Sequence, residues 1–124
     1  MVINRQLLDS LLEQAKDSPR LRMNYDLRTS SADNSQRMLI ALLPGTEVPI
    51  HRHEETTETV VCLCGRLEEI LYEEMPDGSF QEVSKDLLCP AEGCYGIQIP
   101  AGAWHTIQVL EPSVIFEAKD GAYK

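Results

Sequence analysis

The apolar residues near the start of the chain recur at helical spacing. They are Leu7, Leu8, Leu11, Leu12 and Ala15. Spacings of three and four residues place them on one face of an α-helix. Asn4 precedes this run and can cap the helix, and Asp17-Ser18-Pro19 ends it. The pattern predicts one amphipathic helix, which packs on the outside of a sheet or against a second subunit.

From Arg37 onward, short runs rich in apolar and β-branched residues alternate with turn residues. Strands are predicted at Arg37 to Leu43, Thr59 to Cys64, Leu67 to Glu74, Phe80 to Leu88, Tyr95 to Ile99, Trp104 to Leu110 and Val114 to Lys119. Gly65, Asp77-Gly78 and Glu111-Pro112-Ser113 mark turns between some of them. Short strands at close spacing predict a mainly β protein, a sandwich or a barrel.

The chain has 124 residues, with no repeat, low-complexity tract or linker. This length predicts one domain overall. Within it, we expect residues 1–28 to form the N-terminal helix and an extended arm, and residues 29–124 to form the β-barrel. The polar segment 29–36 is expected to be the loop between them.

The acidic composition restricts the partners of the chain. Its formal net charge is −9, from 11 basic and 20 acidic residues. This balance argues against nucleic acid and anionic membranes, which bind clustered Lys and Arg. No targeting segment or membrane-spanning apolar run is visible. We therefore expect a cytoplasmic protein with reduced thiols at Cys62, Cys64, Cys89 and Cys94. A zinc site made of these cysteines is a weaker alternative, because neither pair has C-x2-C spacing.

The histidines carry the clearest chemical signal. The chain has three, His51, His53 and His105. On a strand, residues two apart share a face, so His51 and His53 are expected to point into one space. His105 begins a later strand that would lie alongside. Imidazole is the commonest protein ligand for transition metals, so the spacing predicts one shared metal ion.

A carboxylate would complete this site. Glu58 follows His53 after a short polar turn and can reach the same point. Glu54 and Glu55 are alternatives, although their place at a strand end favours a solvated position. Three imidazoles and one carboxylate suit divalent Fe, Mn, Ni, Co, Cu or Zn without choosing among them. Four protein ligands leave open positions on a five- or six-coordinate ion, which catalysis needs.

These motifs resemble those of the cupin superfamily. The segment from Gly45 to Gly65 reads G-x5-H-x-H-x4-E-x6-G, like the first cupin motif. Pro100, Gly102 and His105 match the core of the second motif, whose usual trailing Asn is absent here. The resemblance implies a single-domain jelly-roll β-barrel with the metal inside.

A narrower resemblance is to the WbuC-type cupin metalloproteins. It is carried by Ser-Pro-Arg-Leu-Arg-Met-Asn-Tyr-Asp-Leu-Arg at residues 18–28 and by Phe-Glu-Ala-Lys-Asp-Gly-Ala-Tyr at residues 116–123. The first of these signatures often ends in His, where this chain has Arg28. The resemblance implies a link to surface-polysaccharide metabolism and specifies no reaction.

Several classes of function stay open. One is a metal-dependent enzyme, an isomerase or epimerase or a dioxygenase, acting on a small polar or anionic metabolite. Another is a metal-dependent binding or accessory protein without turnover, and a third is a structural cupin with an incidental metal. The spare candidates for acid–base work are Tyr95, Glu117 and Tyr123, none with a spacing signature.

Arg20, Arg22 and Asn24 form a second candidate site. On an extended segment these residues share one face. Arginine binds carboxylate or phosphate with two hydrogen bonds, so the arm is expected to hold an anionic ligand at the barrel mouth. The alternative is a solvated edge strand whose charges prevent edge-to-edge pairing. A homodimer is the expected assembly, since such barrels have exposed edges and the helix is amphipathic.

Overall fold

The fold opens with the helix that the leucine spacing predicts. The computed structural model describes residues 1–121. Helix α1 spans Arg5–Lys16 and ends at its C-cap, Asp17. The backbone N–H of Leu7 donates a hydrogen bond to Asn4 Oδ1 at 3.0 Å, which confirms Asn4 as the N-cap.

All six strands pair in antiparallel fashion. They are β1 (Arg22–Asp26), β2 (Ser35–Leu42), β3 (Glu58–Glu74), β4 (Phe80–Leu88), β5 (Gly96–Ile99) and β6 (Trp104–Asp120). The pairing order is β1-β2-β6-β3-β4, and β5 joins the first half of β3. β3 pairs with three strands because it is long and bends around the interior. Residue 28, where we divided the chain, falls in the connection from β1 to β2, and that division stays a prediction.

β3 and β6 are each continuous where the sequence predicts two strands. Both bend in the middle, where the pairing register between them shifts from Cys62 to Leu67. Gly65 has φ +99°, and a Cβ built on it would lie 2.6 Å from Ser113 Cα. The predicted turn residues are therefore bends at which the two strands cross closely, rather than ends of strands.

This bend also changes which residues of β3 face the interior. Before it, the buried residues are the even-numbered Glu58, Val60 and Cys62. After it, they include the odd-numbered Leu67 and Glu69. Val60, Cys62 and Leu67 belong to the same core cluster, so all three point inward. The strand alternation is thus offset by one residue across the bend.

Two apolar clusters lie on the two faces of this sheet. One fills the barrel and includes Leu42, Val60, Cys62, Leu67, Leu88, Ile99, Val109 and Ile115. The other holds α1 against the outer face and includes Leu8, Leu11, Ala15, Leu39, Ala41, Leu43 and Val114. The helix therefore packs on its own sheet, the first of the two placements predicted for it.

None of the helices within residues 1–121 is long and apolar enough to cross a membrane.

Candidate metal centre

Backbone hydrogen bonds bring the two histidine motifs together. His51 and His105 exchange backbone N–H to carbonyl hydrogen bonds of 3.0 and 2.9 Å, forming an isolated bridge. The backbone N–H of Gly102 donates to the carbonyl of His53 at 2.8 Å. The sequence placed His51 and His53 on a regular strand, and that detail is wrong: a single bridge and a turn contact position them.

The three imidazole rings converge. Their centroids are 4.2 Å apart for His51 and His105, 5.3 Å for His51 and His53, and 5.8 Å for His53 and His105. One ligand nitrogen from each lies within 4.8 Å of the other two. Nitrogens bound to one ion at about 2.1 Å and at angles of about 90–110° lie about 3.0–3.4 Å apart, so binding an ion requires the rings to move closer than the 4.8 Å limit by about an ångström or more.

The tautomers of two rings suit metal binding. His51 Nδ1 lies 2.9 Å from the carbonyl of Pro49, and His105 Nδ1 lies 3.0 Å from that of Ala103. A carbonyl oxygen only accepts, so each Nδ1 carries the proton and each Nε2 presents a lone pair. His105 Nε2 is buried and has no hydrogen-bond partner among the described residues. A metal ion would satisfy it.

Glu58 lies beside these rings. It is 2% exposed, and its Oε2 is 2.8 Å from His53 Nε2. Burial, then the nearby charge of Glu117, raises the pKa of Glu58 to about 8. Burial, then His51, lowers the pKa of His53 to about 4. Both shifts favour the neutral form of the group in the metal-free site.

The donor set fits a divalent transition metal. Burial also lowers the pKa of His105 to about 4, so this imidazole stays neutral as a metal ligand must be. The compact group contains the three histidines, and Glu58 adjoins it through His53. Among residues 1–121, no cysteine belongs to such a group, so the alternative zinc site is not formed. Glu54 pairs instead with Arg52 at 3.0 Å.

A cavity of about 290 Å³ is lined by His51 and His105, whereas His53 lines a neighbouring cavity. Arg20, Arg22 and Asn24 line one side of the first cavity, as their shared face predicts. Arg22 Nη1 also donates to the carbonyl of Glu47 at 3.3 Å, which holds the guanidinium over the loop before His51. β1 is at the same time the last strand of the sheet, so the arm is both an edge strand and a cavity wall.

The cavity is also lined by buried carboxyl groups, of which the sequence analysis singles out Glu58 and Glu117 but not Glu69. Glu69 is 0% exposed and Glu117 is 7% exposed, and both line the cavity with Glu58. Glu117 was one of three acid–base candidates. Of the other two, Tyr95 is 61% exposed and does not line this cavity, and Tyr123 lies outside the described residues. The sequence does hold a signal for the burial of Glu69, because this residue lies between Leu67 and Leu71 on one face of the predicted strand.

A family comparison adds to this geometry. The sequence profile of a family described as "Domain of unknown function (DUF6016)" matches residues 3–83. The chain belongs to this family. The DUF6016 match includes the arm, His51, His53, Glu58 and Glu69, whereas His105 lies beyond it. No curated protein matches the chain significantly.

Solved structures similar to this DUF6016 protein share its fold at low sequence identity. BH2720 from Bacillus halodurans has a TM-score of 0.63 and 17% identity, covering 100% of this chain and 83% of that chain. The cupin domain of Cnp3 from Schizosaccharomyces pombe has a TM-score of 0.56 and 12% identity, covering 82% and 65%. The capsular polysaccharide assembling protein CapF from Staphylococcus aureus has a TM-score of 0.61 and 16% identity, covering 83% and 28%.

These likenesses establish the fold and no activity. The chain spans just under two thirds of the Cnp3 structure and little more than a quarter of CapF. The neighbours confirm the cupin jelly-roll barrel that the two motifs imply, and α1 confirms the N-terminal helix that the leucine spacing predicts. The grouping of the three histidines fits a metal-binding cupin of this kind.

Proposed function

We propose that this DUF6016 protein binds one divalent metal ion through His51, His53, Glu58 and His105, and uses it to act on a small anionic metabolite. One observation carries the proposal: imidazole nitrogens converge beside a cavity that His51, His105 and two arginines all line. Neutral imidazoles with fixed tautomers bind a metal without first losing a proton. The arginines then supply the positive charge that an anionic ligand needs.

The residues that line the cavity would have different roles in binding the ligand. Arg20 and Arg22 would bind the carboxylate or phosphate of the ligand, and Asn24 would fix its orientation. Ile40, Ile107 and Ile115 line the same cavity and exclude water, which strengthens these polar contacts. When bound, the metal ion would supply a Lewis acid for a ligand oxygen.

A proton-transfer reaction, an isomerisation or epimerisation, is the reaction class that the cavity favours. Such a reaction needs a group that takes up and returns a proton near the metal. Glu117 supports this choice, because its buried carboxyl lines the cavity near Glu58. No comparable observation favours a dioxygenase. A non-catalytic accessory protein would use the same cavity for binding alone, so turnover of a bound metabolite separates the two functions.

We also propose a WbuC-type role in surface-polysaccharide metabolism. The support is that the WbuC-like segment, residues 18–28, includes β1 and the arginines of the cavity wall. The capsular polysaccharide assembling protein CapF shares the fold, although at 16% identity. A sugar-related ligand would fit both observations.

We infer that the protein works in the cytoplasm as a homodimer. Met1, Val2 and Ile3 precede α1 and are 78%, 72% and 46% exposed. A second copy that covers these apolar side chains would remove them from water. Light scattering that gives the mass of one 13.9 kDa chain at micromolar concentration would contradict the dimer.

Metal analysis of purified protein tests the central proposal. After reconstitution with Mn, Fe, Co, Ni, Cu or Zn, we expect about one bound ion per chain for at least one metal, measured by mass spectrometry. His105→Ala should lose it, and Glu58→Gln should weaken it. Glu54→Gln is the matched control, since Glu54 is close in sequence but pairs with Arg52. Full metal occupancy in His105→Ala, or none in the wild type, would contradict the site.

The arginine wall is tested separately. Arg22→Ala should weaken the binding of an anionic ligand and leave the metal content unchanged. Arg5→Ala is the control, because Arg5 is exposed on α1 and its ion pair within the described residues is with Asp9, at 3.0 Å. A loss of metal in Arg22→Ala would show that the two parts of the cavity do not have separate roles.

A further inference from the structure

Glu69 is buried without the hydrogen bonds that a buried carboxyl group requires. It lies on β3 and is 0% exposed. Neither Oε1 nor Oε2 has a hydrogen-bond partner among the described residues. Native proteins satisfy most buried polar groups, because an unpaired one costs the full loss of its hydration. A group left in this state calls for a partner that is not part of the chain.

The position of Glu69 indicates where that partner would lie. Across the sheet it pairs with Ile107, and the next inward pair along the strands is Leu71 with His105. Glu69 therefore lies one step from a histidine of the metal centre. It also lines the cavity that is lined by Arg22 on β1 and by Arg20 just before this strand. A molecule in this cavity would meet arginines on one wall and Glu69 on another.

We propose that Glu69 contacts the ligand and that its two carboxyl oxygens bind adjacent hydroxyl groups of a hydroxylated acid, a sugar acid or a sugar phosphate. This inference rests on the proposed function, because the arginines of the same cavity hold the acidic group. It adds the hydroxyl groups to the substrate class and names the residue that selects them.

The chemistry of the pocket supports hydroxyl groups at this end. Burial, then the charges of Glu117 and Glu58, raises the pKa of Glu69 well above its usual range. A neutral carboxyl group has one donor and one acceptor, and hydroxyl groups serve as partners for both. An acidic group of the ligand would lie there beside the carboxyl groups of Glu58 and Glu117, which offer it no positive charge. The acid and hydroxyl ends of the ligand are therefore directed to different parts of the cavity.

A second metal ion is the competing occupant, and the geometry does not favour it. Three carboxyl groups, Glu58, Glu69 and Glu117, share the cavity wall. Yet within residues 1–121 the only group of three or more such residues whose ligand atoms all lie within 4.8 Å of one another is His51, His53 and His105. The carboxyl groups are therefore not arranged as a metal site of their own.

Two variants and four probes test the proposal on metal-loaded protein. Glu69→Leu removes both polar atoms, and Glu69→Gln keeps one donor and one acceptor. The probes are gluconate, glucose 6-phosphate, hexanoate, which has a carboxylate and no hydroxyl groups, and glucose, which has hydroxyl groups and no charge. Titration calorimetry should show that the wild type binds gluconate or glucose 6-phosphate more tightly than hexanoate or glucose. The stronger of the two acids distinguishes a carboxylate from a phosphate ligand.

In Glu69→Leu, affinity for the hydroxylated acid should fall about 10-fold or more, since two hydrogen bonds are lost. Its affinity for hexanoate should not change, and Glu69→Gln should retain most of the wild-type binding. Equal effects of Glu69→Leu on the hydroxylated acid and hexanoate would overturn the proposal. So would the absence of wild-type binding to both hydroxylated acids at tens of millimolar.

Stability without ligand gives an independent readout. A Leu of similar volume removes an unpaired buried carboxyl, so Glu69→Leu should raise the urea midpoint of the ligand-free protein. A lower midpoint would mean that Glu69 stabilises the ligand-free fold, and this would overturn the proposal that Glu69 serves ligand binding. Metal content separates this inference from the proposed function. A wild type without metal contradicts the proposed function, while the probe comparison on metal-free protein still reports on Glu69.

Discussion

Replacing Gly65 by alanine should destabilise the protein far more than the same change at Gly78. Both glycines have left-handed backbone angles, with φ +99° at Gly65 and +84° at Gly78. They differ in their surroundings. A Cβ at Gly78 meets nothing within 4 Å, whereas a Cβ at Gly65 would be 2.6 Å from Ser113 Cα and closer still to the carbonyl oxygen of Pro112. Gly78→Ala is therefore a matched control for backbone strain alone.

The magnitude follows from two contributions. A left-handed conformation costs an L-residue about 1–2 kcal/mol, and this applies to both variants. Overpacking against neighbours that cannot move freely costs about 1–3 kcal/mol more, and this applies only to Gly65 because its neighbours are backbone atoms. The expected losses in the free energy of unfolding are about 1–2 kcal/mol for Gly78→Ala and about 2–5 kcal/mol for Gly65→Ala. The lower entropy of the unfolded chain affects both variants alike.

Urea denaturation followed by the fluorescence of Trp104, the one tryptophan of the sequence, measures both losses. A chelator in every sample removes any contribution of bound metal. Equal losses in the two variants would refute the close crossing of β3 and β6. Should Gly65→Ala fail to fold while Gly78→Ala folds, the larger loss expected at Gly65 is supported.

Three further predictions test other parts of the structure. Leu11→Ala should lower the free energy of unfolding by about 2–5 kcal/mol in the same urea assay, because Leu11 is 1% exposed on the face of α1 that packs on the sheet. An unchanged midpoint would contradict the packing of the helix. Cys94 is exposed, whereas burial raises the pKa of the Cys62 thiol to about 12. A thiol reagent should therefore modify Cys94 first. Rapid modification that persists in Cys94→Ser would contradict this prediction. Hydrogen bonds from the backbone N–H groups of Ser35 and Thr29 lower the pKa of Asp33 to about 2. The ionised carboxylate therefore stabilises the folded protein fully above the unfolded pKa of about 3.8, and this stabilisation is lost as the pH falls toward 2. Asp33→Asn should therefore be less stable than the wild type at neutral pH, with a difference that shrinks over that window; a difference independent of pH would count against it.

The parts of the fold set by local patterns could be predicted from the sequence. The leucine spacing and Asn4 predict α1, and the strand Phe80–Leu88 is predicted to the residue. The grouping of His51, His53 and His105 is predicted correctly as well. This grouping depends on contacts distant in sequence, such as the hydrogen bond from the Gly102 N–H to the His53 carbonyl, and the spacing of residues within the two motifs is what makes it predictable.

Other features that depend on contacts distant in sequence could not be predicted. The bends of β3 and β6 arise where Gly65 meets Pro112 and Ser113, and a local reading takes such residues as strand ends. Glu69 was missed as a cavity residue for the same reason. Glu58 and Glu69 are an odd number of residues apart, so on a regular strand they would face opposite sides.

The bend in β3 between Cys62 and Leu67 is a constraint of its own. A strand that alternated regularly from Cys62 onward would turn Glu68 and Ile70 toward the interior and Glu69 toward solvent. Substitutions on the outside of the bend leave this arrangement unchanged, whereas loss of the bend would exchange the lining of the cavity in one step.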